Sequence, residues 1–201
     1  MSARPLVLAA GAGTRLGRPK AACPVAGRPM LARVLASAAA AGLPPAIVVA
    51  GADPEGVRSV AAQGPWPAPE LIVHAGWSAG RTSSLQAGLR ALGPADEAFL
   101  LWPVDVCLVG PALVRALLAA RAGSTPAARA WIPSHAGRRG HPALLASELA
   151  ARFLALGVDA PAHEVVRGLA LVPGALVHVA AGEECLIDID TPADLARANA
   201  M

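Results

Sequence analysis

Four short apolar segments constrain this chain more than any other feature. Pro5–Ala10 (PLVLAA), Ala46–Ala50 (AIVVA), Leu71–His74 (LIVH) and Ala98–Trp102 (AFLLW) carry almost no polar side chain, and longer stretches of helical character separate them. Strands that are apolar on both faces belong to a parallel sheet covered by helices on both sides. Helices are expected at Pro29–Ala41, with a proline in its first turn and Gly42 as its stop, and at Pro54–Ala62, Ser83–Leu92 and Pro111–Arg121. Beyond these, Ala128–Pro133 reads as a strand and Arg139–Leu145 as extended chain. Ser147–Leu156 and Ala162–Leu169 read as helices, Leu176–Val179 and Cys185–Ile189 as strands, and Pro192–Ala198 as a closing helix. This last third breaks the strict alternation, so an antiparallel edge is expected there. The sum is a single three-layer α/β/α domain over residues 1–201, with a mostly parallel, Rossmann-like sheet.

Composition narrows the function. A chain of 201 residues suits one such domain. With 55% hydrophobic and 15% charged residues, disorder is excluded. No apolar run reaches the roughly 20 residues of a spanning helix. The apolar run in MSARPLVLAAGAG is too short for a secretory signal, so a cytoplasmic protein without membrane association is expected. The 17 Lys and Arg against 14 Asp and Glu form no basic run, and aromatic residues make up only 3%. A base-stacking surface is hard to build from that set, which disfavours nucleic acid as a partner. Cys23, Cys107 and Cys185 lie far apart without a CxxC pair, which argues against a disulfide scaffold or a structural zinc.

The loop after the first strand carries the chemistry. Leu8-Ala9-Ala10-Gly11-Ala12-Gly13-Thr14-Arg15-Leu16-Gly17-Arg18-Pro19-Lys20 lies at a strand's carboxyl end, where open α/β sheets bind ligands. Glycines there let backbone N–H groups approach phosphate oxygens, and Arg15 and Lys20 add charge that can neutralise a triphosphate. The spacing of Gly11, Gly13 and Gly17 is one residue too wide for the dinucleotide fingerprint, and no acid occupies residues 28 to 35. Lys20 follows a proline and precedes Ala21, so the Walker pattern fails as well.

This loop resembles the LAAGxGxRxGxxK signature of the sugar-phosphate and molybdenum-cofactor nucleotidyltransferases. The chain is similar above all to the MobA-like NTP transferases, with the molybdenum cofactor cytidylyltransferase branch as the nearest. Further segments match in order. Gly80-Arg81-Thr82-Ser83-Ser84-Leu85-Gln86-Ala87-Gly88-Leu89 resembles the family's G-M-S-S-S-L-x-x-G-L, with Arg81 in the place of the usual Met. Its hydroxyls at Thr82, Ser83 and Ser84 are expected to cap the following helix and leave its N–H groups facing a nucleotide. Leu100-Leu101-Trp102-Pro103-Val104-Asp105 ends on the position of the family's metal-binding Asp, but Val106 and Cys107 depart from the usual D-Q-P. Gly137-Arg138-Arg139-Gly140-His141-Pro142 resembles the acceptor-side segment G-R-R-G-H-P. Asp188-Ile189-Asp190-Thr191-Pro192-Ala193-Asp194-Leu195 resembles the D-I-D-T-P-E-D-L ending.

The resemblance implies a Mg²⁺-dependent transfer of a nucleoside monophosphate from an NTP to a small phosphorylated acceptor such as molybdopterin cofactor, with pyrophosphate leaving. Arg15, Lys20 and Asp105 are the expected catalytic residues. Leu8 to Gly13, Arg15, Lys20, Thr82, Ser83 and Ser84 are expected to bind the nucleotide, and Arg138, Arg139 and His141 the acceptor. Asp105 with Asp188 or Asp190 is expected to hold Mg²⁺. Asp188 and Asp190 would alternate along one strand and so point to the same face. A solvated Arg138–Arg139 turn and a structural role for His141 stand as alternatives. CTP is the favoured nucleotide, because L-A-A-G rather than L-A-G-G marks the cytidylyl branch. A molybdoenzyme or a chaperone is the implied protein partner. An NAD(P)-dependent oxidoreductase and a catalytically impaired nucleotide-binding module of the same fold remain the rival readings.

Overall fold

The computed structural model describes residues 2–201. Its centre is the strand β1 (Ala3–Ala9), which runs parallel to β4 (Ile47–Ala50) on one side and to β6 (Ala98–Pro103) on the other. Beyond β4 lies β5 (Glu70–Val73), also parallel. The polar connection after β1 contains a small separate hairpin, β2 (Pro24–Val25) with β3 (Arg28–Pro29), that sequence patterning had not marked.

On the far side of β6 the pattern changes. β9 (Ala143–Ala146) runs antiparallel to both β6 and β7 (Ala130–His135), and β8 (Arg138–Arg139) folds back antiparallel on β7. The outermost strand, β10 (Leu176–Ala180), is parallel to β7. The order is therefore β10-β7-β9-β6-β1-β4-β5, a mostly parallel mixed sheet. The antiparallel part falls inside the sheet at β9 and at the β8 hairpin.

Helices cover both faces. α1 (Met30–Ala40), α2 (Pro54–Ala61), α4 (Pro111–Ala122) and α7 (Pro192–Asn199) belong to one side, and α3 (Arg81–Leu89), α5 (Ala150–Leu154) and α6 (His163–Leu169) to the other. Alternation along the strands supplies the two cores. Val48, Leu100 and Trp102 point to the first, and Ile47, Val49, Phe99 and Leu101 to the second. Gly88 is required by this packing, because a Cβ there would sit 2.3 Å from Leu6 Cδ1. α3 thus lies directly on the central strand.

Two helix starts follow ordinary capping chemistry. Asp53 accepts a 3.0 Å hydrogen bond from the Gly56 N–H at the head of α2. Thr191 and Asp194 form a reciprocal capping box at the head of α7, with Pro192 just inside. The expected strand at Cys185–Ile189 does not form. Glu183–Leu186 is a 3₁₀ turn, and the following residues are irregular. The cause is tertiary: the Cys185 carbonyl accepts from the His141 N–H at 2.9 Å, and the Ile189 N–H donates to the Asp105 carbonyl at 3.1 Å. These bonds hold the segment across the ends of the strands instead of alongside a neighbour. The three cysteines are free and buried. No described helix is long and apolar enough to cross a membrane.

Candidate active site

The loop after β1 folds on itself before it reaches β2. Gly13 adopts φ +64°, and a Cβ at that position would overlap the Arg18 carbonyl oxygen at 1.9 Å. Only glycine fits there. The Gly13 carbonyl accepts from the Leu16 N–H at 3.0 Å and the Arg18 N–H at 3.3 Å, and buried Leu16 anchors the turn. A cavity of about 350 Å³ opens between this loop, the head of α3 and the end of β6.

At one end of the cavity two acids meet one lysine. Lys20 Nζ donates to Asp105 Oδ2 at 2.6 Å and also to Asp190 Oδ1. Arg15 Nη2 donates to Asp190 Oδ2 at 2.8 Å. The side chains of Lys20, Asp105 and Asp190 are 13%, 12% and 18% exposed, whereas Arg15 is 63% exposed at the rim. Burial alone would lower the Lys20 ammonium, but Asp105 and Asp190 outweigh it and hold the pKa above the ordinary value. Burial pushes Asp190 upward, and Lys20, Arg15 and Arg81 reverse that and leave it below the usual range. Partial burial, then the neighbouring Asp105 and Asp190 carboxylates, raise the Asp188 carboxyl.

Asp105 is set by its backbone. The Val104 N–H donates to the Leu8 carbonyl at 3.1 Å, and buried Trp102 Nε1 donates to the Val106 carbonyl at 2.9 Å. The turn Val104-Asp105-Val106-Cys107 is therefore pinned from both sides, although its residues depart from D-Q-P. Burial drives the Cys107 thiol up to about 11, which makes it an inert apolar filler. Asp105 Oδ1 is buried and has no hydrogen-bond partner. A carboxylate oxygen without a protein partner is a hard anionic donor of the type that Mg²⁺ or Mn²⁺ takes. Among the described residues, no three acidic, His or Cys side chains are set around one point for a metal.

The cavity gathers most of the residues marked in the sequence. Leu8, Ala10, Gly11, Ala12 and Gly13 line it, as do Arg15, Lys20, Ser84, Asp105 and Asp190. Ala9 is turned into the core. Thr82, Ser83 and Ser84 do not cap α3, because the helix starts at Arg81, two residues earlier than expected, with Gly80 at its N-cap and no side-chain cap. Thr82 Oγ1 donates instead to the Ala160 carbonyl at 2.5 Å, and Ser83 Oγ to the Gly80 carbonyl at 2.7 Å. Ser83 Oγ also lies 3.1 Å from His74 Nε2. These hydroxyls brace the turn before α3, and of the three only Ser84 faces the cavity.

Arg138 and Arg139 are exposed on β8 and do not line the cavity. His141 follows β8, lies outside the cavity lining and forms a cis bond to Pro142. Its Nδ1 is buried without a partner. Burial lowers the imidazole pKa, against opposing effects from Asp105 and the Leu101 carbonyl. Asp188 stands beside the acids but outside the cavity lining. The residue that sequence reasoning left without a role is Arg81, which lines the cavity together with Gly80, Trp77 and Ser78. Its signal was already present as the one charged departure in the G-M-S-S-S-L-like segment.

A glycine loop whose Lys20 pairs with two acids, gathered round one cavity at the carboxyl ends of parallel strands, is a site of the kind at which open α/β sheets bind ligands. The chain belongs to the MobA-like NTP transferase domain family, whose model matches residues 5–174. It is a nucleotidyltransferase by family, not a dinucleotide-dependent oxidoreductase. Over 63 residues it is 48% identical to CMP-5'-(3-aminopropyl)phosphonate synthase of Streptomyces rubellomurinus (strain ATCC 31215), a match that takes in 29% of this chain and 10% of that protein. Its fold is similar to that of Rv0371c from Mycobacterium tuberculosis H37Rv, solved as a manganese complex, with TM-score 0.79 and 22% identity over 100% of this chain and 99% of the other. It is also similar to molybdopterin-guanine dinucleotide biosynthesis protein A from Archaeoglobus fulgidus, with TM-score 0.63 and 20% identity over 98% and 97% of the two chains.

Proposed function

We propose that this protein transfers a nucleoside monophosphate, with CMP favoured, from an NTP to a small phosphorylated acceptor, and releases pyrophosphate. The observation that carries the reading is the Lys20–Asp105–Asp190 cluster at one end of the glycine-loop cavity, with Asp105 Oδ1 left unpartnered. The Gly11–Gly13 backbone cradles the phosphates. Arg15 at the rim and Lys20 inside neutralise charge that builds on the leaving pyrophosphate. In this reading Lys20 exchanges its carboxylate partners for phosphate oxygens when the nucleotide enters. Asp105 and Asp190, with Asp188 beside them, are the residues that would hold Mg²⁺. A divalent cation bound there supplies charge neutralisation at the α-phosphate. The manganese complex of the mycobacterial neighbour supports a divalent ion in this fold.

No protein nucleophile is needed. An anionic acceptor oxygen attacks in line, so catalysis rests on positioning and on charge. The cytidylyl preference is supported by Ala10, a cavity-lining residue whose Cβ narrows the space under the base. The CMP product named for the Streptomyces relative points the same way. A methyl group discriminates by about 1–3 kcal/mol, so the preference is graded. Molybdopterin cofactor is the acceptor suggested by the resemblance, with a molybdoenzyme or its chaperone receiving the product. The test is competitive binding of CTP, GTP, ATP and UTP at fixed Mg²⁺, followed by pyrophosphate release with candidate acceptors. CTP is expected to bind most tightly. A clear GTP preference removes the cytidylyl reading, and no NTP binding removes the transferase reading.

A further inference from the structure

Three cations line the cavity, and two are already matched. Lys20 is held by Asp105 and Asp190, and Arg15 by Asp190. Arg81 forms no ion pair and no side-chain hydrogen bond among the described residues. It is the first residue of α3, on the wall opposite the glycine loop. It shares the cavity lining with Asp105 and Asp190, and its charge acts on Asp188 and Asp190. The expected acceptor residues Arg138 and Arg139 are absent from the lining. Of the cations that line the cavity, Arg81 is the one that no carboxylate holds in an ion pair.

We infer that Arg81 is the acceptor-binding residue and that the acceptor presents a phosphate monoester or phosphonate dianion to it. The inference rests on the transfer reading above. A planar guanidinium takes two oxygens of such a group in a forked pair and leaves the third free. That third oxygen attacks the α-phosphorus. The bond from the α-phosphorus to the α–β bridging oxygen breaks, and pyrophosphate leaves with the electron pair. The new bond is a phosphoanhydride between acceptor and nucleotide. The attacking group is already a dianion, so no proton is transferred and no general base is required. The same geometry disfavours neutral alcohol acceptors, for which the cavity offers no base matched to Arg81.

The anchoring of this wall adds to the case. Buried Gln86 donates from Nε2 to the Leu156 carbonyl at 2.9 Å and to the Phe153 carbonyl at 3.1 Å, and Thr82 ties α3 to Ala160. The first turn of α3 is therefore fixed to the segment after α5, and the base of Arg81 has a rigid origin. A positioned arginine loses less conformational entropy on binding than one on a mobile loop.

The test uses Arg81→Met, which keeps an unbranched chain and removes the charge, and Arg81→Lys. The full chain is first saturated with Mg²⁺ and an α,β-methylene CTP analogue, then titrated with methylphosphonate as dianion. Isothermal titration and phosphorus NMR follow binding. Wild type is expected to bind methylphosphonate, and Arg81→Met to bind it about tenfold or more weakly, the loss of a charged hydrogen-bonded pair. Arg81→Lys is expected to recover part of that loss. Affinity for the nucleotide analogue is expected to stay within about twofold in both variants. Equal methylphosphonate binding in Arg81→Met overturns the inference, as does an equal loss of nucleotide affinity, which makes Arg81 a triphosphate ligand. No methylphosphonate binding by wild type overturns it too. The nucleotide titration of wild type reports separately on the transfer reading.

Discussion

The loop after β1 and the head of α3 face each other across one cavity, and they hold their positive charge differently. On the loop side, Lys20 and Arg15 are already engaged by Asp105 and Asp190. On the helix side, Arg81 stands without a carboxylate. The loop wall is thus a self-neutralised cluster that a nucleotide and a divalent ion have to rearrange, whereas the helix wall is open to an anion as it stands. Binding at the first wall requires an exchange of partners. Binding at the second requires only desolvation.

The largest effect is expected from Asp105→Asn. It keeps shape and removes the charge that the loop wall needs for a metal. Metal-activated turnover should fall by about 10³-fold or more, while nucleotide affinity without metal is retained. A variant that Mg²⁺ still activates normally takes Asp105 out of the site. Asp188→Asn and Asp190→Asn, made singly, tell which acid accompanies it.

Lys20→Ala comes next. Turnover should drop by about 10²- to 10³-fold, the equivalent of roughly 2–4 kcal/mol of transition-state stabilisation. Asp105 then loses its cation and Asp190 keeps only Arg15 at the rim, so Mg²⁺ should raise the melting temperature of the variant more than that of wild type. Wild-type turnover in folded Lys20→Ala would remove the distinction between the walls.

The smallest effect concerns what supports the loop wall from below. The Asp190 N–H is held by Asp194 Oδ2 at 3.3 Å, within the capping box of α7. Thr191→Ala should cost about 1 kcal/mol of stability without altering nucleotide choice, read by denaturant unfolding. The Thr191 hydrogen bonds, then Arg197, lower the Asp194 carboxyl to about 2 from an ordinary value of 3.8. A depressed carboxyl stabilises the fold above its unfolded value and loses that contribution as pH falls through the folded one. The helix-capping contribution should therefore be complete above about pH 4 and fade towards pH 2. A Thr191→Ala protein whose acid transition matches wild type would show that the box does not support Asp190.

The β1 side of the molecule was readable from the sequence because its signals are local. An apolar run gives β1, glycine and proline punctuate the loop, and Pro29 and Gly42 mark where the first helix begins and stops. The acidic end of the cavity was readable only in part, because its geometry is made by distant partners. Cys185–Ile189 reads as a strand, from which the shared face of Asp188 and Asp190 followed, yet hydrogen bonds to His141 and Asp105 draw that segment into a 3₁₀ turn and irregular chain. The hydroxyls of Thr82 and Ser83 looked like caps, but carbonyls at Ala160 and Gly80 claim them. Arg138 and Arg139 carried the right charge for an anion, and only the pairing of β8 with β7 shows that the cavity does not include them. Arg81 was visible as an oddity, and its meaning came from the absence of a partner.

The position of β1 also bears on how the chain comes off the ribosome. Its first residues pair with β6 in the register Ala3 to Ala98 and Leu8 to Pro103. This central strand, apolar on both faces, gains β4 on one side first, in the register Leu6 to Ile47, but its other edge waits for β6 until Ala98 and beyond have been made. Contacts that distant in sequence form slowly and leave strand edges open to other chains. Nascent chains halted before β6 has cleared the exit tunnel should therefore be clients of chaperones, and chains extended just past it should not. The glycine loop cannot take its final shape before then, because β6 also delivers Asp105 to Lys20.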